Sequence, residues 1–239
     1  MINKEYLKQV SSLYGFELNS SQLDKLDIYA SLLVKWNESV NLTSITQPDE
    51  IVLKHFLDSF LLLDNSLINS GATIIDVGTG AGFPSVPSLI LKSDLQVTLL
   101  DSLNKRINFL KQLVLDTELE KQVNFVHARA EDAGKNPLYR EKFDIATARA
   151  VAHLRELSEY CLPFVKVGGY FLALKGFDIE QELEESLAAI TKLGGKVVCV
   201  KKYELPNNNK RAIVTIKKIS QISTKYPRIP SKIKKEPLC

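Results

Sequence analysis

Short apolar runs alternate with longer helical patterns between residues 72 and about 195, and this alternation constrains the fold more than any other feature. Strand–helix alternation of this kind predicts a parallel sheet covered by helices on both faces, with right-handed crossovers. The predicted strands are Thr73–Val77, Gln96–Asp101, Gln122–His127, Phe143–Ala146 and Tyr170–Leu174, and the predicted helices cover about 84–92, 103–117, 151–165 and 178–193.

The alternation ends at Gly194-Gly195, where two further β-like runs follow, Lys196–Tyr203 and Ala212–Lys218. The connecting sequence PNNNK has turn chemistry, so the two runs predict a hairpin. Five parallel strands and a terminal hairpin are the arrangement of the class I methyltransferases that use S-adenosylmethionine (AdoMet), in which the last strand inserts antiparallel. The predicted fold class is therefore α/β, a Rossmann-like seven-stranded sheet.

Three segments can be separated along the 239 residues. Residues 1–70 follow helical spacing and contain no predicted strand, so they form an N-terminal helical extension. Residues 71–219 form the AdoMet-binding domain. Residues 220–239 are a basic C-terminal tail with three prolines, which predicts an extended and mobile segment.

The charge is distributed unevenly. From residue 201 to residue 239 there are eleven Lys and Arg against two acids, a net charge of +9, whereas the total of +3 leaves −6 for the first 200 residues. A basic end on an acidic body indicates a polyanionic partner, and the alternative is a solvated edge strand with a solubilising tail.

Composition excludes several classes of site. The three cysteines, Cys161, Cys199 and Cys239, include no CxxC pair, and the three histidines have no metal-ligand spacing, so neither a disulfide framework nor a metal site is expected. No apolar run approaches the roughly 18 residues of a membrane span, and the N-terminus has no apolar signal core. We therefore expect a cytoplasmic protein without a membrane partner.

Residues 74–85 read IIDVGTGAGFPS, in which Asp76 ends a buried strand and Gly78, Gly80 and Gly82 follow at alternate positions. Glycine allows positive φ and a close approach of the backbone to a ligand. The spacing differs from the GxGxxG turn of pyrophosphate binders, and the Lys and Ser/Thr of a P-loop are missing. The motif predicts a turn that admits the methionine end and ribose of AdoMet, with a purely structural turn as the alternative.

Polar residues also follow the other strands. Asp101 ends the second strand, where a carboxylate can hydrogen-bond both ribose hydroxyls. Glu131 follows the third strand, at a place that commonly meets the adenine edge in this fold, and Arg149 follows the fourth. Because ligands bind at this edge of open parallel sheets, the residues together predict an AdoMet pocket, although each acid alone could be a helix cap or a surface residue.

The chain resembles the bacterial glucose-inhibited division protein B family, the 16S ribosomal RNA guanine-N7 methyltransferases. The resemblance covers nearly the whole chain and rests on LVKWNESVNLTSI (33–45), KHFLDS (54–59), DVGTGAGFPS (76–85), DSLNKRINFL (101–110), RAED (129–132), TARAV (147–151), ALKG (173–176) and KYPRIPSKI (225–233). It implies that Gly78, Phe83, Ala130, Glu131 and Arg149 contact AdoMet. The chain departs from the family at Ile229-Pro230-Ser231, where a glycine is common.

Guanine N7 already presents a lone pair and has no proton to lose, so its methylation requires alignment rather than a general base. The product base is cationic, and a nearby oxygen would stabilise it. Asp58 and Asn41 are catalytic candidates because the resemblance puts their motifs beside the pocket, with a helix cap and a turn residue as structural alternatives. Lys175, at the end of the fifth strand, is a third candidate, for phosphate or base contact.

The target base must be single-stranded or flipped, because A-form RNA hides N7 in a deep groove. The predicted RNA-binding residues are Arg129, Arg155, Lys175, Lys225, Arg228, Lys232, Lys234 and Lys235. The expected partner is 16S rRNA in the 30S subunit or an assembly intermediate, with a monomeric enzyme that releases S-adenosylhomocysteine. The alternatives are a small-molecule methyltransferase, a non-enzymatic RNA-binding module and, disfavoured by the glycine spacing and the hairpin, a nicotinamide dehydrogenase.

Overall fold

The computed structural model describes residues 1–63, 67–149 and 152–238. Seven strands form its sheet: β1 (Thr73–Val77), β2 (Gln96–Asp101), β3 (Val123–His127), β4 (Phe143–Arg149), β5 (Val165–Gly176), β6 (Gly195–Leu205) and β7 (Asn209–Lys218). Their order across the sheet is β3-β2-β1-β4-β5-β7-β6.

The first five strands are parallel to one another. Strand β7 lies antiparallel between β5 and β6, with Gly176 opposite Arg211 and Lys196 opposite Lys217. The predicted fold class is confirmed, including the inserted last strand. Strands β4 and β5 extend beyond their predicted limits at 146 and 174, which brings Arg149 and Lys175 into the sheet.

The described helices are α1 (Lys4–Ser12), α2 (Ser20–Val40), α3 (Pro48–Glu50), α4 (Asp58–Phe60), α5 (Ser85–Leu91), α6 (Asn104–Asp116), α7 (Ala130–Ala133), α8 (Leu154–Cys161), α9 (Glu180–Lys192) and α10 (Pro230–Lys235). A π-helix, Ile51–Leu57, joins α3 to α4, and 3₁₀ turns cover Leu61–Leu63 and Leu162–Phe164. Residues 150 and 151, where a helix was predicted to begin, lie outside the described residues, as does Cys239.

The N-terminal helices share one hydrophobic core with the sheet. Tyr29 and Leu33 of α2 and Phe56 of the π-helix are fully buried in the same cluster as Val97 of β2 and Phe109 of α6. A capping box between Asn19 and Gln22 begins α2. The helical extension therefore packs directly on the face of the sheet that carries α5 and α6.

The C-terminal tail packs on the opposite face of the sheet, so the prediction of an extended and mobile segment was wrong. Four apolar side chains, Ile222, Tyr226, Ile233 and Leu238, are buried, and α10 forms within the segment. The Arg140 guanidinium donates hydrogen bonds to the carbonyls of Ile222 and Tyr226 at 2.9 and 2.8 Å. Burial of these side chains outweighs the high charge of the segment.

Candidate active site

The glycine-rich turn after β1 has its backbone fixed by α2. Gly78, Gly80 and Gly82 have φ of 72°, 59° and 97°. A Cβ on Gly82 would lie 2.8 Å from the Tyr29 hydroxyl oxygen and 2.9 Å from Val86 Cγ2, so no larger residue fits there. The Tyr29 hydroxyl donates a hydrogen bond to the Ala81 carbonyl.

Asp76 lies beneath this turn and is completely buried. Its Oδ2 accepts hydrogen bonds from the Thr79 hydroxyl at 3.0 Å and from the Ser85 amide at 3.3 Å. Burial raises the pKa of Asp76 to about 7. The other oxygen, Oδ1, has no hydrogen-bond partner among the described residues.

Asp101 ties the end of β2 to the same turn. Its Oδ2 accepts from the Gly80 amide at 3.0 Å and from Arg106 Nη1 at 3.4 Å, and its Oδ1 accepts from the Leu103 amide at 2.9 Å. Each carboxylate oxygen has two lone pairs, so Oδ1 retains the capacity to accept from one ribose hydroxyl. The ribose role of Asp101 stays a prediction.

A cavity of about 210 Å³ lies between the ends of β1, β2 and β3. Its lining includes Asp101, Ala130 and Glu131, together with Tyr160 of α8. Glu131 is buried, and its Oε1 makes no hydrogen bond to any described residue, although Arg129 Nη1 lies 3.8 Å away. A buried carboxylate oxygen requires a donor.

AdoMet fits this edge of the sheet. Its adenine amine and ribose hydroxyls are donors, and the smaller cavity offers as acceptors the unpaired Glu131 Oε1 and the remaining lone pair of Asp101 Oδ1. The glycine turn supplies the close backbone approach that the cofactor needs. The donors of the cofactor therefore match acceptors that the chain leaves open.

A larger cleft of about 1000 Å³ adjoins this cavity, and both are lined by Gly78 and Arg106. The basic side chains of the cleft outnumber the acidic ones: Lys54, Arg106, Arg149, Lys175 and Arg211 against Asp58 and Glu182. The cleft is therefore positively charged and suited to a polyanion.

Phe83 forms the centre of an aromatic stack in the wall of the cleft. Its ring lies 4.3 Å from that of His55 and 5.1 Å from that of Tyr29, nearly parallel to both. The Arg149 guanidinium lies 4.7 Å from the centre of the Phe83 ring. The helical segments before β1 thus hold the cofactor turn and Arg149 in one packed group.

His55 is neutral at physiological pH. Burial, with the charge of Arg149 nearby, lowers its pKa to about 3. His55 Nδ1 lies 3.2 Å from Arg149 Nη2 and 3.2 Å from the Lys54 carbonyl oxygen. On the other side of the ring, Nε2 forms a hydrogen bond with the Thr43 hydroxyl at 2.9 Å.

Asp58 joins two arginines from distant strands. Its Oδ2 accepts from Arg149 Nη1 at 2.8 Å, and its Oδ1 accepts from Arg211 Nε at 3.0 Å. The Asp58 side chain is 4% exposed. Both oxygens are thus engaged in positioning the two cations, and the alternative of a simple helix cap does not describe this residue.

The other two catalytic candidates differ in position. Lys175 lines the cleft, where its Nζ contacts Glu182 Oε1 at 2.5 Å and the Ala152 carbonyl at 2.9 Å. Asn41 is exposed and ends α2 in the left-handed conformation, with φ of 52°. The structure therefore gives Asn41 the turn role considered as its alternative, while the residues after it, from Leu42, line the cleft.

The nine predicted cofactor residues all lie around the turn and the two cavities. The smaller cavity is lined by Gly78, Asp101, Ala130 and Glu131, and the cleft is lined by Gly78, Gly80, Phe83 and Arg149. The two others line neither cavity: Gly82 is the packed third glycine of the turn, and Asp76 is completely buried beneath the turn. Their roles toward AdoMet stay predictions, now supported by proximity.

The predicted RNA-binding residues fall into different environments. The exposed ones are Arg129, Lys225, Lys232, Lys234 and Lys235, and Arg155 is half-buried. Arg228 instead pairs with Glu159 of α8: its Nε donates to Glu159 Oε1 at 2.9 Å, and its Nη2 donates to Oε2 at 2.8 Å. Because the Glu159 side chain is 1% exposed and requires a cation, the structure gives Arg228 a role in holding the tail.

Sequence reasoning missed four residues of the site: Tyr29, His55, Arg106 and Arg211. His55 stands within the KHFLDS motif with Asp58, but the absence of metal-ligand spacing gave no reason to single it out. Arg211 entered only the charge count of the C-terminal segment. His55, Arg106 and Arg211 line the cleft, whereas Tyr29 is fully buried and bonds to the Ala81 carbonyl. Because the four residues lie on separate segments, local spacing carried no signal for them.

Comparison with known proteins identifies relatives over the full length. Residues 22–214 match the GidB family model, described as rRNA small subunit methyltransferase G. A protein of Alkaliphilus metalliredigens called "Ribosomal RNA small subunit methyltransferase G" is 47% identical over 239 residues, covering 100% of both chains. One of the same name from Lactobacillus helveticus is 48% identical over 95% of this chain and 96% of its own.

Solved structures support the fold. TrmN from Thermus thermophilus has a TM-score of 0.53 at 18% identity, covering 68% of this chain and 48% of its own. M. jannaschii TYW2, solved in complex with AdoMet, has a TM-score of 0.53 at 13% identity, covering 68% of this chain and 73% of its own.

Proposed function

Because the chain belongs to the GidB family, as its sequence motifs predicted, we propose that it transfers a methyl group from AdoMet to N7 of a guanosine in 16S ribosomal RNA. The full-length similarity to small-subunit rRNA methyltransferases supports the reaction and the class of substrate. The N7 position follows from the family resemblance and from the chemistry described below.

One structural observation carries the proposal: the two cavities share Gly78 and Arg106 in their linings. The smaller cavity offers an unpaired buried carboxylate oxygen for a nucleoside, and the larger one offers an excess of cations for a polyanion. A methyltransferase acting on RNA requires these two sites to open into each other, so that the methyl donor and the base can approach within reacting distance.

The smaller cavity and the glycine turn would hold AdoMet. Glu131 and Asp101 would accept hydrogen bonds from its adenosine, and Gly78 and Gly80 would allow the backbone to pass close to it. When bound, AdoMet supplies an electrophilic methyl group on a sulfonium. Tyr29 and Asp76 hold the turn in shape from below.

The chain's own residues in the cleft orient rather than exchange protons. Guanine N7 has a free lone pair, so no side chain needs to remove a proton. His55, with its pKa lowered to about 3, presents a neutral ring beside Phe83. Asp58 fixes the guanidinium of Arg149 over Phe83 and that of Arg211 at the cleft wall.

Lys175, at the end of β5, would contact a phosphate or the base, and Arg129 and the exposed lysines of the tail would contact more distant phosphates.

The finer proposal is that the substrate is the 30S subunit or an assembly intermediate, and that a monomeric enzyme acts in the cytoplasm without a metal ion. No helix in the described ranges is long and apolar enough to cross a membrane, and the same ranges contain no cluster of three or more His, Cys, Asp or Glu side chains suited to a metal.

The test is transfer of tritium from labelled AdoMet to 30S subunits and to protein-free 16S rRNA from a strain that lacks this methyltransferase, followed by nucleoside analysis. Label in 7-methylguanosine is the expected result. Label in another nucleoside would overturn the N7 assignment but keep the substrate class. Intact AdoMet binding with no label in either RNA would favour the small-molecule alternative.

A further inference from the structure

A basic and aromatic surface lies beside the cleft, outside the residues assigned above. It consists of Phe177, directly after β5, and of Lys202 and Lys210 on β6 and β7, and is called the hairpin rim here. Lys202 Nζ lies 4.2 Å and Lys210 Nζ lies 5.3 Å from the centre of the Phe177 ring. Both lysines are exposed, and Phe177 is half-buried.

The strand register makes the hairpin rim continuous with the cleft. Gly176, which precedes Phe177, lies opposite Arg211 in the sheet, and both line the cleft. Ala212, next to Arg211, lies opposite Lys202. A nucleic-acid strand that leaves the cleft past Gly176 would therefore meet the hairpin rim at once.

The surface combines the groups that bind single-stranded nucleic acid. Aromatic rings stack on bases of any sequence, and neighbouring cations contact the phosphates. Lys202 forms an ion pair with Glu180, whose side chain is 69% exposed. Exposed pairs of this kind contribute little stability, so Lys202 can exchange this partner for a phosphate.

We propose that the hairpin rim binds the single-stranded RNA that flanks the target guanosine, with a base stacked on Phe177 and phosphates on Lys202 and Lys210. The inference rests on the proposed function, since it gives the rRNA substrate a second contact surface. It differs from the tail hypothesis, because the tail packs against α8 and α7 rather than on the hairpin.

The first test compares two double variants that carry the same change of charge. Lys202→Gln with Lys210→Gln alters the hairpin rim. Lys196→Gln with Lys217→Gln alters facing residues at the other end of the same hairpin, six residues or about 20 Å from Lys202. Binding of a fluorescein-labelled single-stranded RNA containing guanosine is measured by anisotropy over a series of KCl concentrations, and AdoMet affinity is measured by calorimetry.

The rim variant is expected to lower the magnitude of the slope of log affinity against log salt by about 1.4, corresponding to two phosphate contacts on a single strand. The control variant should leave the slope at the native value, and both should bind AdoMet normally. Equal slopes for the two variants would overturn the proposal, because the lysines would then contribute only to the general charge.

The second test replaces the aromatic ring. Phe177→Leu keeps an apolar side chain under the lysines but removes the stacking surface, and should weaken RNA binding by about tenfold or more. Native affinity in this variant would overturn the stacking role. An effect seen with 30S subunits but absent with protein-free RNA would mean that the rim contacts a ribosomal protein, which also overturns the proposal.

These measurements distinguish a failure of the hairpin-rim proposal from a failure of the proposed methylation reaction. The binding measurements test the hairpin rim even if the native enzyme transfers no label to RNA, whereas the absence of transfer alone bears on the proposed reaction.

Discussion

Asp58 and Arg149 are 91 residues apart in the sequence, yet the Asp58 carboxylate accepts a hydrogen bond from the Arg149 guanidinium at 2.8 Å. The same carboxylate holds Arg211, so one buried acid connects the helical extension to β4 and β7. Removal of one partner from a buried ion pair leaves an uncompensated charge.

Asp58→Ala is therefore expected to lower the free energy of unfolding by about 3 kcal/mol, measured by urea denaturation. Asp49→Ala is the matched control, since Asp49 is an exposed carboxylate on α3, nine residues earlier, and its loss should change stability by less than about 0.5 kcal/mol. Similar effects of the two substitutions would refute the bridging role.

Glu131 provides the sharpest test of the cofactor cavity. Glu131→Gln keeps the size of the side chain but halves its accepting capacity, and AdoMet affinity should fall by about 1–3 kcal/mol in calorimetry. The adjacent Asp132→Asn makes the same change of charge on an exposed side chain and should leave the affinity unaltered. An unchanged affinity in Glu131→Gln would remove this residue from the cofactor site.

Two buried groups make opposite contributions to the pH dependence of stability. Burial raises the pKa of Asp76 from 3.8 to about 7, so between these values the folded protein retains a proton that the unfolded chain releases, and this contribution falls as pH rises. The pKa of His55 is lowered from 6.5 to about 3, so there the unfolded chain binds the extra proton and the contribution rises with pH. The two contributions oppose each other from about pH 4 to pH 6.5.

Asp76→Asn should therefore become more stable relative to the native protein as pH rises from about 4 to about 7, because it lacks the falling contribution. Urea denaturation at several pH values measures the difference. The control is Asp116→Asn, which makes the same change of charge at an exposed carboxylate at the end of α6. A constant difference for Asp76→Asn would mean that Asp76 ionises normally.

The packing of the tail changes how its role in RNA binding must be tested. Deletion of residues 220–239 would remove four buried apolar side chains and destabilise the fold, so loss of activity would be uninformative. Substitution of Lys225, Lys232, Lys234 and Lys235 by Gln should preserve stability and reduce the salt slope of RNA binding by about 2.8 if all four contact phosphates of a single strand. A native slope would exclude the tail from the interface.

Lys175→Ala should reduce methylation of rRNA at saturating AdoMet while the protein remains folded. Its control is Lys166→Ala, because Lys166 stands near the other end of β5 and also pairs with a carboxylate, Asp144. Steady-state kinetics separates the roles: a rise in KM alone indicates phosphate binding, whereas a fall in kcat indicates alignment of the base. Native kinetics would exclude Lys175 from the substrate site.

The sheet was predictable because each parallel strand is a short apolar run, and because the turn residues, such as PNNNK in the hairpin, are typical of turns. The inserted strand β7 was predictable from the hairpin residues after Gly195. Asp76, Asp101 and Glu131 at successive strand ends predicted the candidate cofactor edge, and their roles toward AdoMet stay predictions. These signals are local, so the sequence contains them directly.

The ion pairs of the site and of the tail could not be predicted, because they join segments that are far apart in the sequence. In the sequence, nothing distinguishes Arg211 from other strand residues. In the structure, the register of β7 places it next to Asp58, 153 residues away. In the sequence, Arg228 is one of several basic residues of the tail, and only the structure shows that it pairs with the buried Glu159 of α8. Neither relationship has a spacing that a sequence pattern could detect.

The stack of Tyr29, Phe83 and His55 has a consequence for how such a chain can evolve. Phe83 belongs to the glycine-rich turn, but both rings that stack against it come from the residues before β1. A chimaera that joins this sheet to the helical extension of an unrelated methyltransferase would leave the turn without its two supporting rings. The extension and the turn must therefore be inherited together, and recombination between distant fold-mates should preserve them as one block.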